Sequence, residues 1–269
     1  MYDFKYRRVH SVEDALLVFN ECESPHYYAG GMSLLPVLKL RLDQPTDVID
    51  LGYLDNLRGI QDEADLIRIG AMTPHAVVAS SDVVRNKIPA LAKLAGSIGD
   101  PLIRNRGTIG GSIANNDPSA DYPSAVLALN ATVHTNRRSI AADDFFLGMF
   151  ETALENGELI LEVTFPVPKR AGYGRFPNPA SRYPLVGVFV AETQEGPRVS
   201  VTGAAPCVFR FAEMEWALAK NFDEIAIREI RISPDNLQSD LHGTPEYRAR
   251  LITTMARRAV VETVTAAKA

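Results

Sequence analysis

The chain has few cysteines and no clustered metal ligands. Its 269 residues include two cysteines, Cys22 and Cys207, which lie far apart and form no CxxC pair. The five histidines show no ligand spacing either. Because iron–sulfur clusters and structural zinc are held by closely spaced cysteine and histidine side chains, the sequence predicts neither kind of site in this chain.

Long apolar runs and an excess of basic residues are also missing. No stretch approaches the ~20 apolar residues of a membrane-spanning helix, and the opening MYDFKYRRVH has no apolar core of the kind found in secretory signals. The formal net charge is −5, whereas nucleic-acid binding usually requires a basic face. With 46% hydrophobic and 23% charged residues, the composition is typical of a folded protein with one large domain or two modest ones. We therefore expect a cytoplasmic protein with no membrane span and no nucleic-acid partner.

Two glycine pairs, Gly30-Gly31 and Gly110-Gly111, carry most of the chemical information. Neither belongs to a GxGxxG or a GxxxxGK[ST] motif, which argues against a Rossmann domain and a nucleoside triphosphatase. Glycine permits positive φ and close approach of a ligand to the backbone, and a helix start after each pair would favour phosphate. A single glycine pair is more often a tight turn. Two in one chain predict a dinucleotide held from both sides.

Polar residues around the second pair support this prediction. Hydroxyls suited to phosphate oxygens and amides suited to a sugar or ring edge follow in one stretch: Thr108, Ser112, Asn115 and Asn116. Asp121 is interpreted as an acceptor from ribose hydroxyls, as a helix N-cap, or as both. Arg104 and Arg106 flank the loop and are interpreted as surface or interdomain ion-pair residues rather than as ligands.

Periodicity and capping residues predict alternating short helices and strands. Helices are predicted after Ser11, after Ser33, from Thr73-Pro74, over 89–98, after Asp121, over 145–150 (FFLGMF) and through most of the tail from Phe211, with a last helix over 245–267. Strands are predicted over 48–51, 66–71, 131–134, 159–165, 185–192 and 198–204. The stretch 166–184 is rich in proline, glycine and arginine and is the predicted domain boundary.

Six segments together resemble one protein family, in the order in which that family carries them. They are AGGMSLLPVLKLRL, IGDPLIRNRGTIGGSIANNDPSADYPSAVLAL, DFFLGMFETAL, ELILEVTFP, FPNPASRYPLVGV and HGTPEYRARLITTMARRAV. The family is the FAD-binding medium subunit of molybdenum hydroxylases, which includes aerobic carbon monoxide dehydrogenase and the xanthine dehydrogenase relatives. The resemblance covers nearly the whole chain.

The resemblance implies an α+β fold with a two-subdomain, PCMH-type FAD-binding domain over residues 1–172. A C-terminal domain of antiparallel sheet plus helices would follow over residues 173–269. FAD contacts are implied at Ala29, Gly30, Gly31, Met32 and Ser33, at Thr108, Ile109, Gly110, Gly111 and Ser112, and at Asp121, Ile160, Arg175 and Tyr183. Two positions depart from the family pattern, since many relatives have a polar residue at Met32 and commonly a lysine at Arg175. Arginine keeps the charge but changes the hydrogen-bond geometry.

The same resemblance implies an oxidoreductase subunit without acid–base residues of its own. FAD would receive electrons from a large molybdopterin-binding subunit through a small [2Fe–2S] subunit, in a dimer of heterotrimers, and pass them to an external acceptor. Two alternatives stay open: a stand-alone FAD-dependent oxidase or dehydrogenase, and a non-catalytic assembly or ligand-binding homologue. Gly30→Val and Gly110→Val are expected to abolish FAD binding while leaving the fold mostly intact.

Overall fold

The computed structural model describes residues 1–266, so Ala267, the predicted end of the last helix, lies outside the described residues. The N-terminal part contains β1 (Lys5–Arg8), α1 (Val12–Glu21), β2 (Pro25–Tyr28), α2 (Leu34–Lys39) and β3 (Asp47–Asp50). Its three strands are parallel, in the order β1-β3-β2. The loop after β2 therefore lies at the carboxyl edge of this sheet, the edge at which α/β proteins bind ligands.

The middle part is built on a five-stranded sheet with helices packed over it. Its elements are a 3-10 helix (Asp55–Leu57), β4 (Ile60–Glu63), β5 (Leu66–Gly70), α3 (His75–Ser80), α4 (Asp82–Lys87), α5 (Pro89–Ser97), α6 (Pro101–Arg106), α7 (Ile109–Asn115), α8 (Tyr122–Ala128), β6 (Thr132–Thr135), β7 (Ser139–Ala141), α9 (Ala142–Phe145), β8 (Phe146–Gly148), β9 (Glu151–Thr152) and β10 (Ile160–Pro166). The sheet order is β4-β5-β10-β6-β7 with antiparallel neighbours, and β8 pairs with β9 as a separate hairpin. Fully buried Ile67, Leu91, Val126 and Phe165 belong to one core between this sheet and its helices.

A four-stranded antiparallel sheet forms the C-terminal part. Its elements are β11 (Arg170–Pro177), β12 (Pro184–Thr193), β13 (Gly196–Thr202), β14 (Phe209–Arg210), α10 (Ala212–Lys220) and α11 (Pro245–Ala266). Alternation along β12 separates two cores: Val188 and Val190 pack with α10 and α11, whereas Phe189 packs with the middle part. Side chains that alternate across a strand explain how one sheet joins both layers.

Polar side chains of β13 attach this sheet to α8. Arg198 Nε donates to the Leu127 carbonyl at 2.9 Å, and the Thr202 hydroxyl donates to the Ala120 carbonyl at 2.7 Å. Both residues are buried. Because buried donors are costly to leave unpaired, these bonds fix α8, and with it Asp121, against the C-terminal sheet.

Most predicted elements and the α+β class are confirmed. The Ser11 hydroxyl caps α1 by accepting from the Asp14 N–H at 3.0 Å, as predicted. Pro74 is the N-cap of α3 rather than its first helical residue. The tail from Phe211 is helical only in part, since residues 221–244 consist of turns, bends and irregular segments without an α-helix. Within residues 1–266, no helix combines the length and apolarity needed to cross a bilayer.

The predicted helix over FFLGMF is wrong. The helix there is α9, which ends at Phe145, and Phe146–Gly148 is strand β8 of a hairpin. The buried Asn116 amide holds this hairpin by donating to the carbonyls of Gly148 and Glu151, each at 2.8 Å. Phe150, at the hairpin turn, has φ +56°. The Asn116 side chain, distant in sequence, therefore stabilises the β8–β9 hairpin in place of a helix.

Candidate functional site

Two glycine loops approach each other closely. The first, residues 29–33, connects β2 to α2, and the second, residues 107–111, connects α6 to α7 and includes the first turn of α7. Gly30 lies directly against the backbone of Arg106, where a Cβ would overlap the Arg106 carbonyl oxygen. A Cβ on Gly111 would lie 3.6 Å from the Ala29 Cβ. The two loops border one cavity of about 480 Å³, a size typical of cofactor sites.

Nearly all of the predicted site residues line this cavity. They are Ala29, Gly30, Gly31, Met32, Ser33, Thr108, Gly110, Gly111, Ser112, Asp121, Ile160 and Tyr183. The two others do not line it directly. The Ile109 side chain is fully buried in the core of the middle part, and Arg175 reaches Asp121 from β11.

The first loop has unpaired backbone donors. Within residues 1–266, the N–H groups of residues 30–34 have no protein acceptor. Gly31 adopts φ +73°, the left-handed conformation that favours glycine, and its carbonyl accepts from the Leu35 N–H at 3.1 Å. Gly30 and Gly31 are buried, and buried backbone N–H groups are rarely left without a partner, so the donors of this loop are suited to the oxygens of a phosphate or diphosphate.

The second loop uses most of its N–H groups within the protein, which corrects the expectation that both loops offer equivalent donors; among residues 107–111, the Thr108 N–H alone has no protein acceptor within residues 1–266. The Ile109 and Gly110 N–H groups donate to the carbonyls of Thr73 and Ala71, at 3.2 and 2.9 Å. The Gly111 N–H donates to the Thr108 hydroxyl at 3.2 Å, an N-cap bond. The loops therefore differ in role: the first presents donors, and the second forms the opposite wall.

Close packing, rather than positive φ, explains the glycine at position 110. The residue is not among those with positive φ. A Cβ there would lie 2.6 Å from the Ala71 Cβ and 2.8 Å from the Ala71 oxygen. Gly110 thus allows α7 to approach the end of β5, so Gly110→Val is expected to disturb the fold, contrary to the expectation from sequence.

Asp121 is part of a buried polar network instead of an N-cap. It precedes α8 but makes no side-chain cap. Its carboxylate accepts from the Tyr173 hydroxyl at 2.6 Å and from Arg175 Nε at 2.7 Å. Burial raises the pKa of Asp121, and the Arg175 guanidinium and the Tyr173 hydroxyl act in the opposite direction. Arg175 also donates to the carbonyl of Arg182, next to Tyr183, so the network connects the cavity wall to the β11–β12 loop.

The polar residues Asn115, Asn116 and Arg104 have different roles in the structure. Asn115 lines the cavity, whereas Asn116 is buried and holds the β8–β9 hairpin. Arg104 donates to the carbonyls of Ile98 and Gly99, at 2.8 and 3.1 Å. The Asn116 and Arg104 side chains therefore stabilise the walls of the site rather than line it.

Three further residues line the cavity although the sequence predictions do not place them in the site. No local sequence signal identifies their position. Glu158 accepts from Thr135 Oγ1 at 2.7 Å and from Arg138 Nε at 3.1 Å. Burial alone would raise the pKa of Glu158, but its hydrogen bonds, first among them those from Arg138, lower it to about 2. His26 pairs with Asp43 at 2.7 Å on the cavity wall. The third, His75, is buried at the start of α3.

The sequence matches one protein family and is similar to several of its known members. Residues 2–168 match the family described as the FAD binding domain in molybdopterin dehydrogenase. Over 274 residues, the chain is 36% identical to the nicotine 6-hydroxylase medium subunit of Paenarthrobacter nicotinovorans, with 96% of each chain covered. It is 33% identical to the carbon monoxide dehydrogenase medium chain of Hydrogenophaga pseudoflava, again with 96% of each covered.

The fold is also similar to solved structures. Reconstituted carbon monoxide dehydrogenase from Oligotropha carboxidovorans has a chain that superposes with a TM-score of 0.90 at 30% identity, covering 97% of this chain and 98% of that one. Quinoline 2-oxidoreductase from Pseudomonas putida 86 gives a TM-score of 0.89 at 27% identity, covering 99% and 98%.

Proposed function

Because the chain belongs to the family of FAD-binding medium subunits of molybdenum hydroxylases, we propose that it passes electrons from the iron–sulfur clusters of a partner subunit through FAD to an external acceptor. The chain is the FAD-binding subunit of an oxidoreductase. The observation that carries the proposal is the cavity between the two glycine loops, where the N–H groups of residues 30–34 have no acceptor within residues 1–266.

The chemistry of the cavity fits a flavin dinucleotide. The unpaired N–H groups of the first loop match a diphosphate, which needs several donors at short range. Apolar side chains, among them Ile98, Ile103, Leu159 and Ile160, line the same cavity and suit flat ring systems. We propose contacts to FAD from the predicted positions that line it, with Met32 contributing through its backbone.

The protein positions the cofactor, and the cofactor performs the redox chemistry. When bound, FAD supplies a ring system that accepts and releases electrons. Asp121, fixed by Tyr173 and Arg175, presents a carboxylate to the cavity. Glu158 accepts from the Glu155 N–H at 2.8 Å and so fixes the segment before Ile160. Tyr183 is 47% exposed at the cavity wall, a position suited to shielding a ring from water.

Partner chains are part of the proposal. The relatives are named medium subunits or medium chains, and we propose a large molybdopterin-binding subunit and a small [2Fe–2S] subunit as partners, in a cytoplasmic dimer of heterotrimers. Within residues 1–266, no group of three or more histidine, cysteine or acidic side chains is placed to bind a metal. We further propose an FAD-binding domain over residues 1–172 and a C-terminal domain over residues 173–269, a boundary that falls within β11.

The test is to purify the tagged chain from its own host and analyse what accompanies it. We expect flavin near one per chain, together with molybdenum and iron in fixed ratios to flavin, and reduction of the flavin by substrate only in the complex. A chain isolated with neither FAD nor metal-containing partners would contradict the proposal. Turnover of a small substrate by the purified chain alone would instead support a stand-alone oxidase.

A further inference from the structure

His75 is a buried polar group at the cavity wall that the proposed function leaves without a role. It begins α3, its exposed fraction is 4%, and it borders the cavity together with Ile98, Ile103 and Gly107. A Cβ on Gly107 would lie 2.6 Å from His75 Nε2, so the ring rests directly on the second loop. On another side, its ring centroid lies 5.3 Å from that of Tyr122.

Neither ring nitrogen of His75 has a partner among the residues that the structure describes. Nδ1 is fully enclosed without a hydrogen bond, whereas Nε2, which also has no protein partner in residues 1–266, is not fully enclosed. Unpaired buried polar atoms cost free energy. A phenylalanine of similar shape would fill the same space without the cost of Nδ1, and Nε2 is the nitrogen that a ligand in the cavity can reach.

The charge of His75 indicates the kind of ligand. Burial, aided by the nearby Arg104 charge, lowers the pKa of His75 to about 4, so the imidazole is neutral near pH 7. A neutral imidazole has one donor and one acceptor and matches the polar edge of a neutral ring. The unpaired N–H groups of the first loop already suit the anionic diphosphate. Ile98 and Ile103 beside His75 provide the apolar surfaces that a flat ring requires.

We propose that His75 hydrogen-bonds a heteroaromatic ring of bound FAD, either the adenine base or the isoalloxazine, and makes no contact with the diphosphate. The inference rests on FAD binding in this cavity and names a residue that the family comparison does not assign. It predicts opposite effects of one substitution on the flavin-free and the flavin-bound protein.

The test is His75→Phe in the full-length chain. Phenylalanine keeps the ring packing against Tyr122 but removes both nitrogens. We expect the thermal midpoint of the flavin-free chain to stay the same or rise, while the Kd for FAD, measured by flavin fluorescence, increases about tenfold because a polar atom of the ligand loses its partner. His75→Gln, which restores a side-chain donor, should recover part of the affinity. His242→Phe is the matched control, since His242 is exposed, and should change neither quantity.

Competition experiments identify the ring. ADP, FMN and inorganic pyrophosphate are each titrated against FAD on wild-type and His75→Phe protein. The quantity compared is the inhibition constant of each competitor, corrected for the Kd of FAD on the same protein. A higher constant for ADP alone would assign the adenine base, whereas a higher constant for FMN, with a shifted visible spectrum of bound flavin, would assign the isoalloxazine. The constant for pyrophosphate should be the same for both proteins.

Several outcomes would overturn the inference. They are an unchanged Kd for FAD, an equal loss of pyrophosphate binding, unchanged inhibition constants for both ADP and FMN, or a lower thermal midpoint of the flavin-free variant. A wild-type chain that binds no FAD would overturn the proposed function and this inference together, whereas the other results leave the proposed function intact.

Discussion

Acidification of the flavin-free chain should reveal the cost of burying His75. The group is 4% exposed, and burial lowers its pKa to about 4. In the unfolded chain a histidine has a pKa of about 6.5. The unfolded state therefore binds more protons than the folded state between these two values. The contribution of neutral His75 to the free energy of unfolding is complete above about pH 6.5 and is lost as the pH falls toward 4.

The size of the effect follows from the two pKa values. Between pH 7.5 and pH 4.5 the His75 contribution to the free energy of unfolding should fall by about 2.5 kcal/mol. Burial raises the pKa of Asp121, and a raised carboxyl pKa changes the stability with pH in the opposite sense to the lowered pKa of His75. The quantity to compare is therefore the difference between wild type and His75→Phe.

Urea denaturation of both flavin-free proteins at a series of pH values measures this difference. The variant should become more stable relative to wild type as the pH falls, with most of the change between pH 6.5 and 4.5. A pH-independent difference would refute the reasoning, because it would mean that His75 is protonated equally in the folded and unfolded states.

Three other substitutions test the construction of the site. Asp121→Ala should lower the free energy of unfolding of the flavin-free chain by about 1–3 kcal/mol, because the buried Tyr173 hydroxyl and the Arg175 guanidinium lose their carboxylate acceptor; no measurable loss in urea denaturation would contradict the network. Gly110→Val should destabilise the fold by about 1–3 kcal/mol through overlap with Ala71. In Gly111→Ala the new methyl group would lie 3.0 Å from the Thr108 hydroxyl and 3.6 Å from the Ala29 Cβ, so we expect a smaller loss of stability to urea than in Gly110→Val, together with weaker FAD binding; equal behaviour of the two glycine variants would contradict these separate roles.

Local signals in the sequence were sufficient to locate the loops. Gly31 needs its positive φ, and Ser11 caps α1 through a residue three positions away. Such features depend on neighbours in the chain, so capping and turn preferences predict them well. The same holds for the strands of the C-terminal sheet, where alternation of apolar residues marks the two faces.

The finer structure of the site depends on partners far along the chain. Asp121 looked like an N-cap, but Tyr173 and Arg175, more than fifty residues away, hold its carboxylate. The donors of the second loop are satisfied by the carbonyls of Ala71 and Thr73. These two carbonyls accept from the Ile109 and Gly110 N–H groups. Neither contact has a signature in local sequence, and the glycine pairs alone therefore predict that both loops act alike.

The central claim is that FAD binds in the cavity with its diphosphate on the first loop, and glycine-selective ¹⁵N labelling tests it most directly. Amide signals are assigned by glycine substitution and followed as FAD, and then pyrophosphate, is added to the flavin-free chain. We expect the Gly30 and Gly31 amides to shift strongly with both ligands, and the Gly110 amide, which is bonded to Ala71, to keep its hydrogen bond. FAD binding that leaves the Gly30 and Gly31 amides unchanged would contradict the account.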